Sequence, residues 1–200
     1  MKSLTLIFEA HGTTFDNEAH LSSGWNDVAL SPLGERQSRE MGVRYKDDHF
    51  DAIFTSDLKR AYMSAIIAFG TTQVQKRSNP NDPFAKFTTR FPIIQDKRLR
   101  ECDYGNLTQK PSAIVDAEKP RRITEPFPGG ESYTQTTARM KSFLDDLRRD
   151  YAGNRVMVIG HRATQYGIEH VLNGVPLEEL VSPEALDAWK WQPGWVYDVV

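Results

Sequence analysis

The stretch Arg155-Val156-Met157-Val158-Ile159-Gly160-His161-Arg162 carries an unbroken apolar run from Val156 to Ile159 and then two ionisable residues. A run this short reads as a strand, and a helix is predicted directly after it over Thr164–Leu172. A strand with no polar alternation is covered on both faces, as in a parallel sheet flanked by helices. Working outward, the same pairing recurs. Leu4-Thr5-Leu6-Ile7-Phe8 reads as a buried strand ending at Glu9. Ser31-Pro32 offers an N-cap followed by a first-turn proline, with Glu35 close behind, and predicts a helix to about Lys46. Asp51-Ala52-Ile53-Phe54-Thr55 is a second strand, with Ser56 or Asp57 as the cap of a helix carrying Leu58, Ala61, Ala65 and Ala68. Phe91-Pro92-Ile93-Ile94 is a shorter strand, and Thr124–Gly130, with Pro126, Pro128 and a glycine pair, is a loop. A long helix follows, with Ala138, Met140, Phe143, Leu144, Leu147 and Tyr151 on one apolar face. Strands alternating with helices predict a three-layer α/β/α fold around a mostly parallel central sheet.

Composition bounds what such a fold does. The chain has 200 residues, 39% hydrophobic and 26% charged, which suits one soluble domain spanning 1–200. Twenty-five Lys and Arg against 27 Asp and Glu leave a formal charge of -2, without the general electrostatic pull of a nucleic-acid or membrane-surface protein. The single cysteine, Cys102, excludes an intrachain disulfide framework and a four-thiolate zinc site. The opening apolar run is too short for a signal-peptide core and no run approaches a membrane span, so a cytoplasmic protein is expected. Gln75–Lys86, with Pro80 and Pro83, reads as a surface excursion, and Trp189, Trp191 and Trp195 as residues that pack a late segment onto the core.

In a parallel α/β sheet, ligands bind at the carboxyl ends of the strands. There the first strand delivers His11-Gly12-Thr13-Thr14, the second leads to Arg60, the third through Leu99-Arg100 to Glu101, and the last to Gly160-His161-Arg162. Each histidine sits beside a glycine, which would let a ligand approach the backbone. Two imidazoles, a guanidinium and a carboxylate on one sheet edge suit phosphoryl transfer through histidine. A neutral imidazole is a nucleophile that needs no metal. Arginine and a second imidazole neutralise the non-bridging oxygens, and a carboxylic acid protonates the leaving alcohol.

These residues lie in a larger pattern. His11-Gly12-Thr13-Thr14 with Asn17, then Gly24-Trp25-Asn26-Asp27 and Leu30-Ser31-Pro32-Leu33-Gly34-Glu35-Arg36-Gln37, resembles the opening of the histidine phosphatase (phosphoglycerate mutase-like) superfamily. Phe54-Thr55-Ser56-Asp57-Leu58-Lys59-Arg60-Ala61 is similar to its second motif, and Leu99-Arg100-Glu101 with Tyr104-Gly105-Asn106-Leu107 to its acid-bearing segment. Pro128-Gly129-Gly130-Glu131-Ser132 resembles its loop before the long helix, and Val158-Ile159-Gly160-His161 its second histidine. The motifs run in family order over about residues 4–165. The resemblance implies a phosphatase acting through a phosphohistidine on a small phosphorylated metabolite, with no cofactor and no metal. It implies His11 as nucleophile, Arg60 as phosphate clamp, Glu101 as proton donor and His161 as the second phosphate-binding imidazole, with Thr14 and Asn17 lining the pocket. Pocket walls are expected from Ser78–Thr89 and Asn106–Pro128.

The chain departs from the family at Ala10, where an arginine normally precedes the nucleophile, and at Arg162, where a small residue is usual. Arg162 is a candidate to supply the missing charge. Without compensation, the chain would be a degenerate member that binds a phosphorylated ligand or protein without turning it over. A mutase is the rival within the family, against which stands Cys102-Asp103-Tyr104-Gly105 after the acid. A metal site of His11 and His161 with Asp16 or Asp27 is a further alternative. P-loop, dinucleotide, zincin and hydrolase-elbow signatures are missing. The sequence leaves the substrate and the oligomeric state open.

Overall fold

The computed structural model describes residues 3–71, 88–182, 185 and 194–200. Five strands form the central sheet: β1 (Leu4–Ala10), β2 (Ala52–Thr55), β5 (Ile93–Gln95), β6 (Arg155–Gly160) and β7 (Trp195–Val199). Their order is β5-β2-β6-β1-β7, and all pairs are parallel except β1 with β7. β3 (Gly70–Thr71) and β4 (Thr88–Thr89) make a separate two-stranded antiparallel ribbon.

Alternation along β1 explains the three layers. Leu4, Leu6 and Phe8 face one side, where they meet Met140, Phe143, Leu144 and Leu147 of α5 (Tyr133–Asp150) and Ile168 of α6 (Arg162–Asn173). Ile7 faces the other side with Met157 and Ile159, against Met41 of α2 (Pro32–Arg44) and Ala65 and Phe69 of α3 (Lys59–Phe69). The remaining helices are short: α1 (Phe15–Glu18), α4 (Ser112–Glu118) and α7 (Leu177–Leu180). Among the described residues, no helix is long and apolar enough to cross a membrane.

Several local expectations are corrected. β1 runs past Phe8 to Ala10, because Glu9 is buried with partners: its Oε1 accepts from Tyr45 Oη at 2.7 Å and from Arg44 at 3.0 Å. Burial raises the Glu9 pKa, opposed by these two donors. α2 begins as read, with Ser31 Oγ accepting from the Gly34 amide at 3.3 Å, but ends at Arg44, two residues short of Lys46. α3 takes its cap from elsewhere. Its N-cap position is Leu58, and Asp27 Oδ1 accepts from the Lys59 amide at 2.6 Å, while Ser56 and Asp57 bond across the site. The strand near 93 is displaced to Ile93–Gln95 and the last long helix starts at Arg162 rather than Thr164. Trp195 packs edge-on against Phe8 with ring centroids 5.6 Å apart. It does so from β7, a strand absent from the sequence reading. Trp189, Trp191 and Gln75–Lys86 lie outside the described residues.

The glycines beside the histidines are also corrected. A Cβ on Gly12 would lie 2.4 Å from the Gly34 carbonyl oxygen, and one on Gly160 would lie 3.0 Å from Phe8 and Thr164. Their smallness serves close packing of the protein, not access for a ligand. The tightest crossing is Gly34, where a Cβ would meet the Thr13 carbonyl oxygen at 1.9 Å. Gly34→Ala therefore forces α2 off the loop after β1. It is expected to cost about 1–3 kcal/mol, the range for overpacking, read as a lower urea midpoint with an unchanged m-value.

Candidate active site

The ladder between β1 and β6 ends by pairing Ala10 with Gly160, and the His11 amide adds one more bond to the Gly160 carbonyl at 3.1 Å. That rung sets the two histidines side by side, with ring centroids 5.0 Å apart and planes inclined by 58°. His11 Nδ1 lies 2.7 Å from its neighbour's carbonyl oxygen, Gly12 O. A carbonyl only accepts, so Nδ1 carries the proton. Burial and the nearby Arg60 guanidinium lower the His11 pKa to about 3, against the hydrogen bond to Gly12. At neutral pH the ring is uncharged, with its lone pair on Nε2.

His161 is the N-cap of α6, where its amide donates to Thr164 Oγ1 at 3.2 Å. Burial, Arg60 and His11 hold its pKa well below the ordinary value. Its Nε2 lies 2.7 Å from Ser56 Oγ, and its side chain closes a capping box with the Thr164 backbone amide.

Arg60 stands one residue into α3 and is 2% exposed. It donates to Asn26 O at 2.9 Å and to Gly24 O at 2.8 Å, and so pins the loop that caps its own helix. Glu101 follows a 3-10 turn at Lys97–Leu99. Its Oε1 accepts from the amides of Cys102 at 2.8 Å and Ala163 at 3.2 Å, which places the carboxylate at the positive end of α6.

Three supports of the Glu101 segment were not found from sequence. Trp25 Nε1 donates to Glu101 O at 2.7 Å. Arg139, on α5, donates to the same carbonyl at 2.9 Å and to Glu131 at 3.0 and 3.1 Å, while Glu131 accepts from the Asp103 amide at 3.2 Å. Arg100 makes two 2.6 Å bonds to Asp57 and stacks on Trp25, its guanidinium 4.7 Å from the ring centre, tying the turn after β2 to the acid segment. The signal was present in Glu131 and Arg139, opposite charges eight positions apart that flank the start of the long helix.

His11, Arg60, Glu101 and His161 line one cavity of about 360 Å³, with Ala10, Asn17 and Arg162 also on its wall. Thr14 is not on that wall. It is fully buried as the N-cap of α1, in a reciprocal box with Asn17, and its place is taken by Thr13. Of the two expected wall segments, Asn106–Pro128 contributes Ser112, Asp116 and Lys119, and most of Ser78–Thr89 lies outside the described residues. Lys119 is buried and pairs with Asp116 at 2.7 Å, and burial lowers its pKa. Among the described residues, no three His, Cys, Asp or Glu side chains are grouped to hold a metal ion. Asp27 caps α3 and Asp16 accepts from Gln109 Nε2.

The chain matches the profile of the Histidine phosphatase superfamily (branch 1) over residues 6–81 and 82–188. It is 30% identical over 200 residues to a 2,3-bisphosphoglycerate-dependent phosphoglycerate mutase of Methylobacterium sp., covering 94% of this chain and 88% of the relative. It is 26% identical over 180 residues to phosphoserine phosphatase 1 of Hydrogenobacter thermophilus, covering 82% and 77%. Among solved structures, Bacillus stearothermophilus YhfR superposes with a TM-score of 0.70 at 24% identity, over 90% of this chain and 85% of that one. A mycobacterial glucosyl-3-phosphoglycerate phosphatase in complex with VO3 gives 0.66 at 22%, over 90% and 86%.

The two depressed imidazoles make stability depend on pH. In the unfolded chain they bind protons near pH 6.5, and in the folded chain far lower, so the unfolded state binds more protons between those values and stability falls with acidification. Unfolding free energy should drop as pH goes from 7.5 to 5. His11→Asn should flatten that slope, measured by urea unfolding, and an NMR titration should find His11 neutral throughout this range. A His11 that titrates near 6.5 contradicts the electrostatics described here.

Proposed function

The chain belongs to branch 1 of the histidine phosphatase superfamily, and from that premise we propose that it hydrolyses a small phosphomonoester through a phosphohistidine on His11. The observation that carries this reading is the hydrogen bond from His11 Nδ1 to Gly12 O, which leaves Nε2 as a lone-pair nucleophile beside His161, Arg60 and Glu101. Nε2 attacks phosphorus, and the bond from phosphorus to the ester oxygen breaks. Glu101 takes up a proton once substrate occupies the site and passes it to the departing alcohol through Oε2, the oxygen not engaged by the Cys102 and Ala163 amides. Water then attacks the phosphohistidine, Glu101 takes a proton from it, and inorganic phosphate leaves with His11 restored. Arg60 and His161 hold the non-bridging oxygens, where charge sits in the transition state.

The expected outcome is acid-labile incorporation of labelled phosphate into the wild type and none into His11→Ala. Turnover in that variant should fall by roughly 10³-fold or more, the scale on which loss of a nucleophile acts. Incorporation that survives in His11→Ala contradicts the assignment. Release of inorganic phosphate separates hydrolysis from the transfer to a second alcohol that the similarity to named mutases raises.

Ala10 and Arg162 decide how the site balances charge. Both border the cavity, Ala10 from the end of β1 and Arg162 from the first turn of α6. Our reading is that Arg162 provides the cation that an arginine at position 10 provides elsewhere in the family. Arg162→Ala should then lower kcat by roughly 10²–10³-fold, as removal of an oxyanion donor does, while Ala10→Arg gains little. A large gain in Ala10→Arg, with Arg162→Ala neutral, identifies instead a decayed enzyme that binds phosphoesters without turning them over.

A further inference from the structure

The chemistry proposed above leaves part of the cavity wall unused: His20, Ser112, Asp116 and Lys119. These residues come from two segments that are zipped together. Leu21 and Pro111 form an antiparallel bridge, and the Ser112 amide donates to His20 O at 2.8 Å. The Ser22 amide donates to Lys110 O at 3.0 Å, and its carbonyl accepts from the Gln109 amide at 2.8 Å. Backbone bonds thus hold this wall in place independently of a ligand. Lys119 closes α4 one turn after Asp116 and is 3% exposed, which is rare for an ammonium unless it is paired. Its Nζ meets Asp116 Oδ1 at 2.7 Å, the only acceptor it has among the described residues. An ammonium has three N–H donors, so two are unused, and the second Asp116 oxygen likewise has no described partner. Burial and the nearby Arg162 charge both work against the charged lysine. A cation kept there, in the wall of a cavity, points to an anionic group that joins it.

The charges of the wall say what kind of molecule brings that group. Among the described residues, with histidine counted as neutral, Arg60, Arg162 and Lys119 stand against Glu101 and Asp116. Once Glu101 has taken up its proton, Arg60 and Arg162 together balance a phosphomonoester dianion. Lys119 and Asp116 remain, a pair that is neutral as a whole, with an unused donor beside an unused acceptor. Its electrostatic complement is also neutral as a whole, with the signs reversed. We propose that the alcohol half of the substrate carries both a carboxylate and an ammonium group, as in an O-phosphorylated hydroxy amino acid. The carboxylate accepts from Lys119 and the ammonium donates to Asp116. The proposal rests on the phosphatase reading above and on the place of Arg162 in it. A carboxylate alone would set a like charge against Asp116, and an ammonium alone would do the same to Lys119. The cavity of about 360 Å³ lies within the range of roughly 300–1,000 Å³ found for small-molecule sites.

Binding of four phosphomonoesters to the His11→Asn protein, measured by titration calorimetry, tests this without turnover. O-Phosphoserine carries both groups, 2-phosphoglycolate only the carboxylate, phosphoethanolamine only the ammonium, and glycerol 3-phosphate two hydroxyls in their place. O-Phosphoserine should bind about tenfold tighter than each of the others, or more, the scale of one charge-assisted hydrogen bond. Added to His11→Asn, Lys119→Met should remove its advantage over phosphoethanolamine, and Asp116→Asn its advantage over 2-phosphoglycolate. Any of the other three bound as tightly as O-phosphoserine overturns the proposal, and that comparison stands even if a wall variant fails to fold. An advantage that survives both substitutions overturns it as well. Wild-type protein that hydrolyses none of the four, while the ranking in binding holds, sinks the phosphatase reading and leaves the selectivity standing. Release of phosphate from all four at similar kcat/KM, with no ranking in binding, does the reverse.

Discussion

The bond from the His11 amide to the Gly160 carbonyl, at 3.1 Å, is the constraint on which the site depends. It is the last rung between two adjacent parallel strands, and parallel pairing makes both strands end at the same edge of the sheet. One chain end therefore cannot deliver its histidine without the other. Everything else at that edge is fixed to this pair: α6, capped by His161, presents its first-turn amide to Glu101, and the Gly12 amide donates to Ser64 Oγ of α3 at 3.0 Å, one turn from Arg60. A shift of one residue in the β1–β6 register would turn Leu6 and Phe8 out of one core layer and separate the histidines together.

The electrostatics follow from the same crowding. Placing two imidazoles beside a buried guanidinium makes a charged imidazole costly, so both stay neutral. The guanidinium is in turn kept from carrying its burial alone. Two loop carbonyls accept from it, and the charge on Glu101 favours its ionised form against the desolvation that lowers its pKa. The result is a site in which the His11 lone pair is available without deprotonation and the positive charge rests on arginine. Such a division leaves the His11 tautomer as the remaining variable, and the Gly12 carbonyl fixes it.

Much of this was legible in the sequence, and the reason is local. The strands β1, β2 and β6 are carried by short, mainly apolar runs, and Ser31-Pro32 is a helix start whose capping bond, from the Gly34 amide to Ser31 Oγ, spans three residues. The positions of His11, Arg60, Glu101 and His161 follow from strand ends, which is why the structure brings all four to one cavity. What was not legible depends on partners distant in sequence. Asp27 caps α3 from 32 positions away, and Ser56, which looks like a cap, is taken by His161 from 105 positions away. Glu9 ends an apolar run on paper, but continues a strand because Tyr45 and Arg44 accompany it into the interior. Thr14 reads as a pocket residue from its motif, yet its hydroxyl is consumed by the reciprocal box with Asn17. The antiparallel β7 has alternating burial, and its pairing with β1 is invisible without the fold.

A crystal structure of the protein with orthovanadate tests the central claim most directly, since a vanadium atom held by a histidine marks where phosphorus would be. The account predicts vanadium bonded to His11 Nε2, with the Gly12 carbonyl still on Nδ1 and the His161 ring within hydrogen-bond distance of a vanadate oxygen. Vanadium bonded to any other side chain, or a His11 ring turned so that Nε2 faces Gly12, would contradict it.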